Sequence, residues 1–473
     1  MKSHVLRGLR QGVVVSVLAA ASLASALPIE LKDSNGTRYF INTQVVPMTS
    51  LSNASGAITN ATFVKPVTVT SYYIGFTPWF GFLTTYTVQR QVNVPLTPAF
   101  DGFNGLLVTS VNGASLPIPL VFNPGQPAAE DCPNSNGRNQ QLTFQTQEFS
   151  AQNLTLTRRV FVPTNKEWVR WLNIVTNTGS TPTPVTITLL GLIASGDDTK
   201  VVNTSTGDSN LTTADLWFTT AQAVPQGTTS FEPRIGYVVQ GPGPVTPVSN
   251  LGISTTSNPP GKAAFSYSPT IPAGGTAIVM TFVTVQGQSK QAKNTCENLV
   301  ATPLPAAAIK CMSELELTQV VNYAPITPPV LKSSTVKLKF KKTGQDTVQW
   351  KGKITIAGGI SLSGQPVTVD FGGVTQSFVL NKGGSANNGD GNKFNLNADL
   401  NKGVTKPGTY KFSFKLKGDL QSTLAEYGLT DANADDLPVT IPVTLTAGPG
   451  AYAVDQPFTY NATQGKTGTA KAS

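Results

Sequence analysis

Histidine is almost missing from this 473-residue chain, and its one copy, His4, lies in a stretch that reads as a removable export signal. Without an imidazole in the mature chain, Ser-His-Asp and Cys-His hydrolysis and imidazole-based zinc sites are excluded together, because no other side chain ordinarily changes charge near neutral pH. Cysteine is scarce as well. Cys132, Cys296 and Cys311 are too few for a disulfide-dense scaffold and cannot complete a four-ligand zinc site alone. Charged residues make up only 12% of the chain, which excludes a disordered polyelectrolyte or a coiled coil. Arginine is absent from residues 329–473, where 16 lysines face 10 acidic residues. Arginine reads guanine edges bidentately, so its absence argues against sequence-specific nucleic-acid recognition and leaves a diffuse, salt-sensitive attraction to polyanions.

What is present begins with export. Lys2, Arg7 and Arg10 precede an apolar run from Val13, and Ala24-Ser25-Ala26 supplies small residues for cleavage after Ala26. The run is too short to cross ~30 Å of hydrocarbon, and no second run of spanning length follows. The mature chain is therefore expected to be secreted or held at the cell surface or in the periplasm, without a transmembrane segment.

Short Thr- and Val-rich alternations separated by Gly, Pro and Asn dominate residues 27–287 and predict a large antiparallel β-sandwich. Asn35-Gly36 and Asn112-Gly113 sit where two-residue hairpin turns belong. Trp168 to Val175 and Pro184 to Leu190 read as a strand pair joined by the turn-rich Asn177-Thr178-Gly179-Ser180. From 288 to 324 the period turns helical, with Ser313-Glu314-Leu315-Glu316 as a capping box. Pro325, Pro328 and Pro329 mark a stiff linker over 325–334. Lysine-rich alternation over 335–460 predicts a second, half-buried β-sandwich, and 461–473 read as a disordered tail.

Four constellations are candidate sites. The lysines at 337, 339 and 341, at 351 and 353, and at 411, 415 and 417 form rows. Like charges opposed across a sheet cost stability, so these rows either lie on non-adjacent strands, guard an edge against aggregation, or contact a polyanion. Lys337, Lys339, Lys341, Lys411, Lys415 and Lys417 carry the polyanion reading. Asp197, Asp198, Asp208 and Asp215 form an acidic patch that suits calcium, a pair of glycosidic carboxylates, or plain turn chemistry. Among the aromatics of 72–86, Tyr72, Tyr73 and Trp79 are candidates for stacking on sugar rings, with core packing as the alternative. Cys296 and Cys311 are close enough in sequence to bridge a loop of about 15 residues, which would leave Cys132 over.

The text Arg158-Arg159-Val160-Phe161-Val162-Pro163, Trp168 to Ile174, Thr176 to Gly179, Ser205 to Asp208 and Ala214 to Trp217 resembles large exported bacterial β-sandwich proteins. The strand rhythm with a trailing helical connector is also loosely similar, over 27–325, to the supersandwich domains that precede catalytic barrels in some polysaccharide-active enzymes. No helical barrel follows here, and the histidine those lyases commonly use is absent. The last third resembles the immunoglobulin-like modules of bacterial surface proteins, which implies spacing or adhesion. The expectation is a non-enzymatic structural, adhesion or glycan-binding protein facing a cell-surface or extracellular polysaccharide, with no cofactor unless calcium. The alternative is a hydrolase or lyase using the loop carboxylates.

Overall fold

The structure, a computed structural model, describes residues 28–473 apart from 78–81, 135, 224–231, 303, 357–358, 402, 449 and 473, and omits the side chains of 67, 69, 71–77, 82–86 and 88. The expected export signal thus lies outside the described residues.

The chain is all-β, built of large antiparallel sheets. Residues from Ile29 to Gln286 form a ten-stranded and a nine-stranded sheet. Apolar residues at every second position give each sheet one oily face, and the two faces meet in one core. Phe103 of one sheet reaches Trp171 of the other edge-on, with ring centroids 6.1 Å apart. Asn112 and Gly113 both take positive φ, which a two-residue hairpin turn demands, and join Val111 to Ala114.

The anticipated pairing of Trp168–Val175 with Pro184–Leu190 does not occur. Val169–Asn177 lies between Leu154–Phe161 and Thr276–Gln286 in the nine-stranded sheet, whereas Thr183–Ile193 sits in the ten-stranded one. Val169–Asn177 is buried on both faces and takes a central place in its sheet, whereas Thr183–Ile193 alternates buried apolar residues with half-exposed ones such as Thr186 and Leu190 and so belongs to a layer covered chiefly on one side. The turn crosses between layers, fixed by the buried Asn177, whose amide donates to the carbonyls of Thr181, Ile271 and Pro272 at 2.7, 3.1 and 3.1 Å.

Three short helices follow: α1 (Ser289–Leu299), α2 (Ala306–Ile309) and α3 (Glu314–Gln319). Ser313 and Glu316 form the reciprocal capping box at the start of α3. All four residues of α2 are buried, and Ala307, Ala308 and Ile309 join a second apolar cluster that includes Trp168, Leu172 and Ala453.

The C-terminal module is one hydrogen-bonded sheet of eleven strands around a single core. Near the two ends of that sheet Gln376 accepts from Asn388 and Asn392 at 2.9 and 3.2 Å. Two expectations are corrected here. The proline-rich segment is not a free linker, because Ile326–Thr327 pairs in parallel with Ala451–Tyr452 and a long strand starts at Val330. The tail is ordered as well, since Thr467–Ala472 pairs with Val330–Leu338 on one side and Gly450–Thr463 on the other. Its polar composition hid a strand whose buried face needs only Gly468 and Ala470.

Candidate functional site

The strands Val330–Leu338, Asp346–Ile356 and Gly408–Gly418 are adjacent. Their even alternation puts Trp350, Phe412 and Phe414 inside, and the intervening residues outside. With Lys393–Asn397 and Thr467–Ala472 on the flanks, five neighbouring strands present one continuous outer face. That face carries Lys337, Lys351, Lys353, Lys393, Lys411, Lys415, Lys417 and Lys471, all exposed, among threonine, serine, asparagine and glutamine. Lys353 lies directly across from Lys411, and Lys415 directly across from Lys393. Among the described residues none of the eight has an ion-pair partner. A groove of about 640 Å³ runs along this face, lined by Lys351, Lys393, Lys415, Asn387, Asn395 and Ser413.

Four of the six lysines singled out from the sequence, Lys337, Lys411, Lys415 and Lys417, meet on this face. Lys339 and Lys341 do not, because the strand stops at Leu338. The buried carboxylate of Asp346 stops it, accepting from the backbone N–H of Lys339 at 2.7 Å and of Leu420 at 3.0 Å. Lys393 and Lys471 were not singled out. The first had a signal in the alternation Lys393-Phe394-Asn395-Leu396-Asn397, and the second was hidden in the supposed tail.

The acidic patch separates. Asp197 and Asp198 sit in a short 3-10 turn ahead of Thr199–Thr204, and Asp208 and Asp215 lie past that strand's far end. Asp208 and Asp215 do approach, since the Thr206 hydroxyl is 3.4 Å from one carboxylate and 2.9 Å from the other. Asp215 is fully buried, and both its oxygens are occupied by backbone and hydroxyl donors of Ser205, Thr206 and Thr212. Desolvation alone would raise its pKa, but these donors outweigh burial and hold it below the usual carboxylate value. It staples a loop. No group of three or more His, Cys, Asp or Glu among the described residues has metal-holding geometry.

Trp79 lies outside the described residues, and Tyr72 and Tyr73, whose side chains are also outside them, are successive residues of the strand Ile58–Thr77. The bridge between Cys296 and Cys311 is replaced by one between Cys132 and Cys311, with Cα atoms 6.0 Å apart. Cys296 instead points from α1 into the core, where a Cβ on Gly236 would lie 2.5 Å from its sulfur.

Around that disulfide the two modules are joined by buried polar groups. The Arg170 guanidinium donates to the carbonyls of Ala308 and Lys310 at 2.6 and 2.9 Å and to Gln141 at 3.1 Å. From the C-terminal module, Asp455 accepts from the backbone N–H of Cys311 at 2.8 Å, and Asp370 from that of Ala306 at 3.2 Å. Burial pushes Asp455 up to about 6, and buried Asp33 of the N-terminal module up to about 7. A carboxyl raised in the folded state adds stability below its unfolded pKa and loses it as pH climbs through the folded value. The melting temperature should therefore be several degrees higher at about pH 5 than at about pH 8, and Asp455→Asn with Asp33→Asn should flatten that slope in a pH series of thermal melts.

No family model and no curated protein matches the chain. Among solved structures, a polysaccharide lyase is 7% identical at TM-score 0.27, over 82% of this chain and 46% of its own. A putative aldose 1-epimerase from Klebsiella pneumoniae is 9% identical at TM-score 0.22, over 33% of this chain and 53% of its own. The N-terminal domain of a Streptococcus gordonii adhesin is 10% identical at TM-score 0.13, over 82% of this chain and 98% of its own. The chain spans about half the length of the first two. No helix among the described residues is long and apolar enough to cross a membrane.

Proposed function

We propose that this chain is an exported, non-enzymatic adhesion protein that holds an anionic polysaccharide against the outer face of its C-terminal sheet. The supporting observation is two directly opposed lysine pairs in the strand register, Lys353 with Lys411 and Lys415 with Lys393, in a field of eight exposed lysines without an ion-pair partner among the described residues. Like charges directly opposed destabilise a sheet, so they need a compensating use. Edge protection is not that use, because Asp346–Ile356 and Gly408–Gly418 are interior strands with neighbours on both sides. A polyanion lying across the strands would relieve the repulsion, while the intervening hydroxyls and amides supply neutral hydrogen bonds. The expected immunoglobulin-like role fits here as a spacer that presents this face.

The binding reading is favoured over the hydrolase alternative because Asp215 is fully engaged by loop donors and Asp197 and Asp198 lie at the opposite end of the strand Thr199–Thr204. The test is retention of the full chain on immobilised polygalacturonate and on neutral dextran across a salt series. Binding to polygalacturonate alone, weakening steeply with salt, supports the proposal; equal binding to both polymers or to neither overturns it.

A further inference from the structure

A cleft of about 660 Å³ opens between the two modules. One wall belongs to the C-terminal module, where Gly372 and Gly373, both at positive φ, turn Pro366–Phe371 back into Val374–Val379. The register sets Thr368 across from Ser377 and Asp370 across from Thr375, so alternation brings these four side chains together on one face of the hairpin. The other wall is α1, which presents Thr295 and Asn298 one turn apart. Buried Trp168, Leu299 and Ala307 give the cleft an apolar floor.

The walls are fixed in advance. Asp370 accepts from the backbone N–H of Gly373 at 2.7 Å, which closes its own turn, and from that of Ala306 at 3.2 Å, which ties the hairpin to the helical connector. Both its carboxylate oxygens are thereby occupied, and Glu167 is engaged as well, accepting from the Gln286 amide at 3.0 Å. Lys166 stands beside Glu167 with the opposite sign, so the lining offers no strong field to an ion. What stays open is neutral. The side chains of Thr295 and Asn298 make no hydrogen bond among the described residues, and Asn298, Thr375 and Ser377 are exposed. A cavity at a module junction, with an apolar floor and a few convergent neutral hydroxyls and amides, has the make-up of a small-ligand site.

We infer that this cleft binds a short neutral stretch of glycan, as a second site apart from the lysine face. A sugar ring carries hydroxyls around an apolar C–H surface, which matches polar walls over an oily floor. Because Asp370 already ties the walls together, binding orders little that is not ordered beforehand. The choice of a glycan over another neutral polyol rests on the proposed function, and the strand itself connects the two sites. Val379, two residues beyond Ser377 on the same strand face, lines the lysine groove, so a polymer lying there has about 7 Å to cover before it reaches the cleft.

The experiment is isothermal titration calorimetry of the full chain with cellotriose, mannotriose and galactotriose at about 1 M salt, where screening over about 3 Å silences the lysine face. At least one trisaccharide is expected to bind with a dissociation constant of about 1 mM or tighter. Asn298→Ala with Thr375→Ala, which removes a hydrogen-bonding group from each wall, should weaken binding about 10-fold, and Ser377→Trp, which fills the cleft, should abolish it. All three positions are exposed, so both variants should melt with the parent. A parent that binds none of the three sugars, or binding unchanged in either variant, would overturn the inference. Retention on polygalacturonate at low salt reads the lysine face separately, so its loss overturns the proposed function and leaves a bound trisaccharide standing.

Discussion

Replacing Lys353, Lys393, Lys411 and Lys415 together by glutamine should weaken binding to polygalacturonate by about 100-fold and flatten its salt dependence by several units of log–log slope. The same variant should melt at the parent temperature or slightly above it. These opposite signs follow from geometry. Each of the two cross-strand lysine pairs costs up to ~1 kcal/mol in the free protein, and glutamine keeps the aliphatic stem and a polar tip while removing that repulsion. A fold supported by these lysines would lose stability along with binding, whereas a binding face loses only the second. Glutamine at Lys339 and Lys341, which lie beyond the strand's end, is the matched control and should change neither reading. Unchanged affinity in the fourfold variant would remove the basis of the proposed function.

Loss of the Cys132–Cys311 bridge should cost more stability than any other single covalent change. The bridge closes a sequence separation of 179 residues, for which the chain-entropy relation gives about 5 kcal/mol. It also clamps the strand Pro127–Pro133, at the margin of the nine-stranded sheet, to the end of α2. Cys132→Ser with Cys311→Ser should therefore lower the melting temperature by about 5–15 °C, and dithiothreitol should do the same to the parent. Cys296→Ser should not reproduce the effect of reductant, since that thiol is buried and unbridged. Burial drives its pKa far up, so it should resist alkylation until the protein unfolds. Peptide mapping that recovers Cys296 joined to Cys311 would refute this pairing.

The all-β character, the capping box and the glycine turn were legible because each is a local pattern of neighbours in sequence. Lys411, Lys415 and Lys417 could be placed on one side of a strand for the same reason. Which strands adjoin is not local information. Nothing in 351–353 or 411–417 announces that Lys353 meets Lys411, although that contact gives the face its meaning. The cysteines failed in the same way. Cys296 and Cys311 are near in sequence, but α1 aims Cys296 at the space left by Gly236, while Cys311 arrives beside an edge strand formed far earlier in the chain. The acidic patch misled in the converse sense, because proximity in sequence across Thr199–Thr204 became separation along an extended strand.

The strand Thr467–Ala472 also sets the order in which the C-terminal module can assemble. Val330–Leu338 is made first but has one flank open until the last segment slides in between it and Gly450–Thr463. Until then two long, apolar-backed strands expose unpaired backbone edges to any passing chain. During synthesis the module is therefore a slot awaiting this slat, and a helper that shields nascent β-edges would act most usefully in that interval.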